Sequence, residues 1–122
     1  MKPGKILIVE DEVLFAMALG QRLKGKGYEL CETALRGKEA VEIIERERPD
    51  LVVMDVNLKG EISGIDAASE IRLRFGIPVI FMTGYSDENT KKAAMLVQPA
   101  GYVTKPLNFE ELLALIGSID KP

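Results

Sequence analysis

Five short apolar runs, each separated from the next by a stretch with helical periodicity, constrain this chain more than any other feature. The runs are Lys5 to Val9, Tyr28 to Thr33, Leu51 to Met54, Ile77 to Met82 and Ala100 to Val103. The first, third and fourth carry no polar alternation, the pattern of strands covered on both faces. Phe15, Leu19 and Leu23 mark the first helical face, closed by Gly25 and Gly27. Ala40, Val41 and Ile44 mark a second helix over 37–47, which Pro49 ends. Ala68 and Ile71 lie on a third, which follows a loop holding Gly60 and Gly64 and runs to about Phe75. A fourth, from about Asp87 to Val97, has a thin face of Ala93, Ala94 and Val97 and stops at Pro99. Phe109, Leu112, Leu113 and Ile116 mark the last, with Asn108 placed to cap it.

Strict alternation of strand and helix argues for a parallel sheet with helices on both faces. Five strands suit the flavodoxin-like, doubly wound α/β arrangement with strand order 2-1-3-4-5. The order is an inference from that winding; the alternation itself carries the fold class. With 122 residues and no repeat, linker or low-complexity stretch, residues 1–122 are expected to form a single domain.

Composition removes several function classes. Lys and Arg number 16 against 19 Asp and Glu, a net charge of −3, so no basic surface points to direct nucleic-acid binding. No apolar run approaches the roughly 20 residues of a membrane span, so no membrane insertion is expected. Lys2 and Lys5 precede too short an apolar stretch for a secretory signal. Cys31 is the lone cysteine and cannot form an internal disulfide, which makes the cytoplasm the expected compartment. There is no histidine. Carboxylates, hydroxyls and lysines must carry any chemistry, and an all-oxygen site suits magnesium or calcium, not zinc.

Four of the five strands finish on polar residues. Glu10-Asp11 follows the first, Asp55 the third, Thr83 the fourth and Thr104-Lys105 the fifth. In an open parallel sheet these ends share the edge at which such folds bind ligands. Neighbouring strands lie roughly 4.8 Å apart, so Glu10, Asp11 and Asp55 fall into one pocket. Three adjacent carboxylates repel and bind a proton unless a cation intervenes. Magnesium answers that need, because it takes carboxylate oxygens and keeps waters that exchange for phosphate oxygens. Lys105 adds a second positive charge, and Thr83 a hydroxyl donor. Positioning and charge neutralisation of this kind supply most of the rate in phosphoryl transfer. Glu10-Asp11-Glu12 also reads as an acidic helix start, Lys105 as a surface lysine, and Tyr102 as packing on an edge strand.

The segments Val9-Glu10-Asp11-Glu12, Met54-Asp55-Val56-Asn57, Phe81-Met82-Thr83-Gly84 and Tyr102-Val103-Thr104-Lys105-Pro106 stand in order at strand ends. In them the chain resembles, along nearly its whole length, the receiver domain of two-component response regulators. The resemblance implies that Asp55 accepts a phosphoryl group from a phosphohistidine on a sensor histidine kinase or a histidine phosphotransfer protein. It implies that Asp11 and Asp55 bind Mg2+ directly, Glu10 through water and Asn57 through its carbonyl. Lys105 would pair with Asp55 and then with phosphoryl oxygens, Thr83 would hydrogen-bond the phosphate, and Tyr102 would be an aromatic switch. The Lys105–Pro106 bond would be cis. Asn57 and Tyr85 would occupy positions that tune dephosphorylation. A downstream protein or output domain would contact the face of the fourth helix, fifth strand and fifth helix.

The chain departs from the family pattern in three places. Glu10 stands where many relatives have Asp, Gly84 where alanine is common, and the loop 58–64 is one residue longer and lacks a proline. On this reading the protein is a phosphoacceptor switch that assists its own phosphorylation and dephosphorylation, not an enzyme. The alternatives are a small phosphatase of the haloacid-dehalogenase type and a pseudo-receiver that binds partners unphosphorylated. The phosphatase requires a second aspartate where Asn57 stands. The pseudo-receiver has no need of the full set of acids, Asp55, Thr83 and Lys105. With no output region after Pro122, the chain is expected either to act through protein contacts alone or to belong to a longer protein.

Overall fold

The computed structural model describes residues 4–58, 63–84 and 88–119. In chain order the elements are β1 (Lys5–Val9), α1 (Val13–Gly25), β2 (Glu29–Leu30), α2 (Gly37–Glu47), β3 (Leu51–Asp55), α3 (Gly64–Phe75), β4 (Val79–Thr83), α4 (Glu88–Leu96), β5 (Gly101–Thr104) and α5 (Phe109–Ser118). The strands form one sheet in the order β2-β1-β3-β4-β5, and every pair is parallel. This is the doubly wound α/β fold that the alternation predicts.

The continuous apolar runs are explained by the two layers they serve. Leu7, Val9, Val52, Met54, Val79 and Phe81 pack on one face with Ala40, Ile43 and Ile44 of α2, Ala67, Ala68 and Ile71 of α3, and Ala94 of α4. Ile6, Ile8, Leu51, Val53, Ile80 and Met82 pack on the other with Ala16, Leu19 and Leu23 of α1 and Phe109, Leu112 and Ile116 of α5. Each large apolar side chain among these contributes about 1.5–3 kcal/mol on burial, so the central strands are the anchor of the molecule.

Helix ends follow local chemistry. Asn108 caps α5 by accepting from the Glu111 amide at 3.1 Å, as its position predicts. Ser63 does the same for α3, accepting from the Asp66 amide at 3.1 Å. Gly64 is not a loop residue but the first residue of α3, directly under the end of β3. A Cβ at Gly64 would run into the Asp55 carbonyl oxygen and lie 2.7 Å from that of Val56. Only glycine permits this approach of helix to strand.

β2 is shorter than the run Tyr28 to Thr33 suggests. The Cys31 amide donates to the Ile6 carbonyl and the Ala34 amide to the Ile8 carbonyl, both at 3.0 Å. Three residues on this strand therefore match two on β1. The extra residue breaks the ladder as a bulge does, leaving only an isolated bridge between Val9 and Ala34 beyond it. α4 is the thinnest helix, with only Ala94 buried. Among the described residues, no helix is long and apolar enough to cross a membrane.

Candidate functional site

Strand register brings the polar residues together. Val9 pairs with Met54, so Glu10 and Asp55 leave adjacent strands at the same level. Asp55 pairs with Met82, and Thr83 follows one residue on. Thr83 pairs with Thr104, and the Lys105 amide donates to the Thr83 carbonyl at 2.7 Å. All these groups sit at the carboxyl-terminal edge of the sheet, where β1 and β3 separate their connections to opposite layers.

Glu10, Asp11 and Asp55 each offer an oxygen within 4.8 Å of the others. Opposite ligands of one Mg2+ lie roughly 4.2 Å apart, so small torsional changes let the three share an ion. The donors are all oxygens, as a hard cation requires. Asn57 is exposed beside them, and its backbone amide donates to Asp55 Oδ1 at 2.9 Å. That bond leaves the other oxygen, Oδ2, turned toward Lys105.

Lys105 Nζ lies 2.9 Å from Glu10 Oε2, 3.4 Å from Asp55 Oδ2 and 3.4 Å from Glu12 Oε1. Glu10 is wholly buried, and a carboxylate there is costly without a partner. Burial pushes its carboxyl above the ordinary glutamate range, and the Asp55 charge adds to the rise, while the Lys105 hydrogen bond opposes it. Burial disfavours the Lys105 ammonium too, but the Glu10 hydrogen bond and the Asp55 charge outweigh it and raise the lysine above its usual value. The cluster holds charge at the edge of the core by mutual pairing.

Thr83 is fully buried at the end of β4. Tyr102 packs against the α2–α3–α4 layer, half-buried, and its hydroxyl has no partner among the described residues. The Lys105–Pro106 bond is cis, as the resemblance implies. Tyr85 and the long part of the 58–64 loop, residues 59–62, lie outside the described residues.

The chain has counterparts among known proteins. Residues 6–117 match the family profile of the response regulator receiver domain. The chain belongs to that family. It is 39% identical over 114 residues to the transcriptional regulatory protein PdtaR of Mycobacterium tuberculosis, covering 93% of this chain and 55% of PdtaR. The chain thus spans about half the length of the curated relatives it matches. The signal receiver domain of a modulated diguanylate cyclase from Desulfovibrio desulfuricans G20 superposes with a TM-score of 0.88 at 34% identity, covering 95% of this chain and 91% of that one. A CheY-like receiver domain protein from Methanospirillum hungatei JF-1 superposes with a TM-score of 0.83 at 30% identity, covering 93% and 90%.

Three residues of this receiver site escaped the sequence reading in their structural roles. Glu12 reads as an acidic helix start, yet it is the N-cap residue of α1 without a capping side-chain bond, and its carboxylate turns to Lys105. Phe15 reads as core, yet the Lys105 ammonium lies 4.5 Å from the centre of its ring. Gly64 reads as loop, yet it seats α3 against Asp55. Only Gly64 left a signal, in the Ser63-Gly64-Ile65-Asp66 pattern of a helix start.

Proposed function

We propose that residues 1–122 act as one phosphoacceptor switch, with Asp55 taking a phosphoryl group from the phosphohistidine of a kinase or phosphotransfer protein. The observation that carries the reading is the approach of Lys105 to Asp55 from beside the acidic trio. A nucleophile, a cation site and a fixed positive charge then surround one point.

In the transfer, an Asp55 carboxylate oxygen attacks phosphorus as the phosphorus–nitrogen bond breaks. The electron pair stays on the donor imidazole, which is left neutral once it holds a single proton. Asn57 orients the acceptor by holding Oδ1 through its backbone amide. Lys105 leaves Asp55 Oδ2 for a phosphoryl oxygen, and the Thr83 hydroxyl donates to another. Glu10, Asp11, Asp55 and the Asn57 carbonyl would hold Mg2+, which when bound neutralises charge on the phosphoryl oxygens. Because the chain has no histidine, the donor must be a separate group. The role is that of a switch rather than a turnover catalyst, and a cytoplasmic one.

The added charge shifts the balance of two conformations only through contacts that differ between them. Thr83 and Lys105 flank α4 and β5 in sequence, so α4, β5 and α5 with Tyr102 form the face that responds and meets a downstream partner. The thin packing of α4 under Ala94 suits an element that moves. Val13, Leu14 and Met17 stand exposed on α1 just beyond Glu12 and offer apolar contact to an arriving donor.

Incubation with acetyl phosphate and Mg2+, followed by intact-mass measurement, tests the proposal. The parent gains one phosphoryl group, EDTA suppresses the gain, and Asp55→Asn gains none. Parental labelling of Asp55→Asn would overturn it.

A further inference from the structure

Along the first turns of α1, Val13, Leu14 and Met17 are at least half exposed, whereas Phe15 turns inward and packs against the α1–α5 layer. Its ring also faces the site. The Lys105 ammonium lies 4.5 Å from the ring centre, within the reach of a cation–π contact, while Glu10, Glu12 and Asp55 provide its ionic partners. The lysine side chain is only 17% exposed, so water contributes little to holding the charge. An aliphatic side chain at position 15 would fill the space without attracting the ammonium.

We propose that Phe15 is a positioning residue for phosphoryl transfer, its ring forming a seat that holds the Lys105 ammonium beside Asp55. This rests on the reading of Asp55 as phosphoacceptor. The physical advantage lies in direction. A hydrogen bond to Glu10 Oε2 fixes the ammonium along one line, whereas the ring attracts it over its whole face. The lysine can therefore move from Asp55 Oδ2 to a phosphoryl oxygen without leaving the ring.

The test compares the parent with Phe15→Leu and Phe15→Tyr, using Phe15→Met as a second aliphatic variant should the leucine fail to fold. Lys105 side-chain methylene resonances are followed by NMR in the unphosphorylated protein, and labelling by acetyl phosphate is followed by mass. In the parent the ring shifts those resonances upfield of an ordinary lysine. The aliphatic variants lose that shift and label roughly fivefold to thirtyfold more slowly, the worth of a largely desolvated cation–π contact. Phe15→Tyr restores both at matched thermal stability, which loss of packing alone does not explain. An ordinary lysine shift in the parent, or parental labelling rates in the aliphatic variants, would overturn the seat while leaving a labelled Asp55 intact. A parent that never labels would instead overturn the phosphoacceptor reading on which the role depends.

Discussion

The Lys105 ammonium is closer to Glu10, at 2.9 Å, than to Asp55, at 3.4 Å. Glu10 has one more methylene than an aspartate, and its arm reaches across the strand edge to the lysine. The two oxygens of its carboxylate are both engaged, Oε1 by the Glu12 amide at 3.1 Å and Oε2 by Lys105. On the proposed reading, a divalent cation held by Glu10, Asp11 and Asp55 would draw on the same buried carboxylate as the lysine.

Removing the lysine should separate these claims. Lys105→Met leaves Glu10 and Asp55 facing each other with no fixed cation, at a cost of about 1–3 kcal/mol in metal-free buffer. Excess Mg2+ should recover much of that loss, since a ligand at 100 times its Kd adds about 2.7 kcal/mol. Denaturant titrations with and without Mg2+ check this. A smaller Mg2+ effect in the variant than in the parent would refute the shared-carboxylate account.

The site was legible in the sequence to the extent that backbone register fixes it. Apolar runs that stop at a polar residue place Glu10, Asp55, Thr83 and Lys105 at one edge whatever the side chains then do. The Lys105–Asp55 pair followed from the family resemblance; the other side-chain partnerships were not legible, because they depend on torsions. Nothing in the sequence separates Glu12 as a helix start from Glu12 as a lysine partner, or Phe15 as core from Phe15 as a seat. β2 was misread in length because its residues have strand character. The bulge that interrupts pairing between Cys31 and Ala34 is a property of two strands together.

The contact of α3 with the end of β3 makes Gly64 sensitive. Gly64→Ala places a methyl against two backbone carbonyl oxygens that cannot rotate away, so helix or strand must shift. Overpacking of this kind costs about 1–3 kcal/mol. The shift falls on Asp55 itself, so acetyl phosphate labelling should slow as well. Gly84→Ala, where a Cβ meets nothing within 4 Å, is the control and should leave stability unchanged. Chemical denaturation of both variants decides it.

Cys31 sets part of the alkaline limit. It is buried, and burial with the nearby Glu47 charge raises its thiol to about 11 from 9.0. The unfolded chain loses this proton first. Between pH 9 and 11 the native state binds more protons than the unfolded state, so stability falls as pH rises through that window. Below pH 9 the thiol makes no such contribution to the slope. Cys31→Ala should flatten the decline between pH 9 and 11, and native Cys31 should resist iodoacetamide at pH 8 until denaturant is added. Rapid native alkylation would contradict the placement.

Tyr102 presents the opposite case, a buried hydroxyl that has given up water without gaining a partner among the described residues. Tyr102→Phe keeps the ring against the α2–α3–α4 layer and removes that deficit. The unphosphorylated protein should gain about 1 kcal/mol. If the hydroxyl finds a partner after phosphorylation, the gain should shrink in the labelled protein. Unfolding of parent and variant, each with and without acetyl phosphate, measures both quantities. A destabilised unphosphorylated variant would mean that the hydroxyl is bonded in solution.

The exposed end of α1 can be tested apart from the chemistry. Leu14 is 82% exposed and contributes little to the core, so Leu14→Lys should change stability by no more than about 0.5 kcal/mol. On the proposed reading a protein donor brings its phosphohistidine to Asp55 near the start of α1, where Val13, Leu14 and Met17 offer apolar surface. A small acyl phosphate needs no such surface. Transfer from a phosphorylated histidine phosphotransfer protein should therefore slow by roughly fivefold or more, the loss of a single contact worth over 1 kcal/mol. Labelling by acetyl phosphate should stay within about twofold of the parent on the same argument, because Asp55 and Lys105 are untouched. Equal slowing with both donors would place the effect in the site itself and remove α1 from the docking surface.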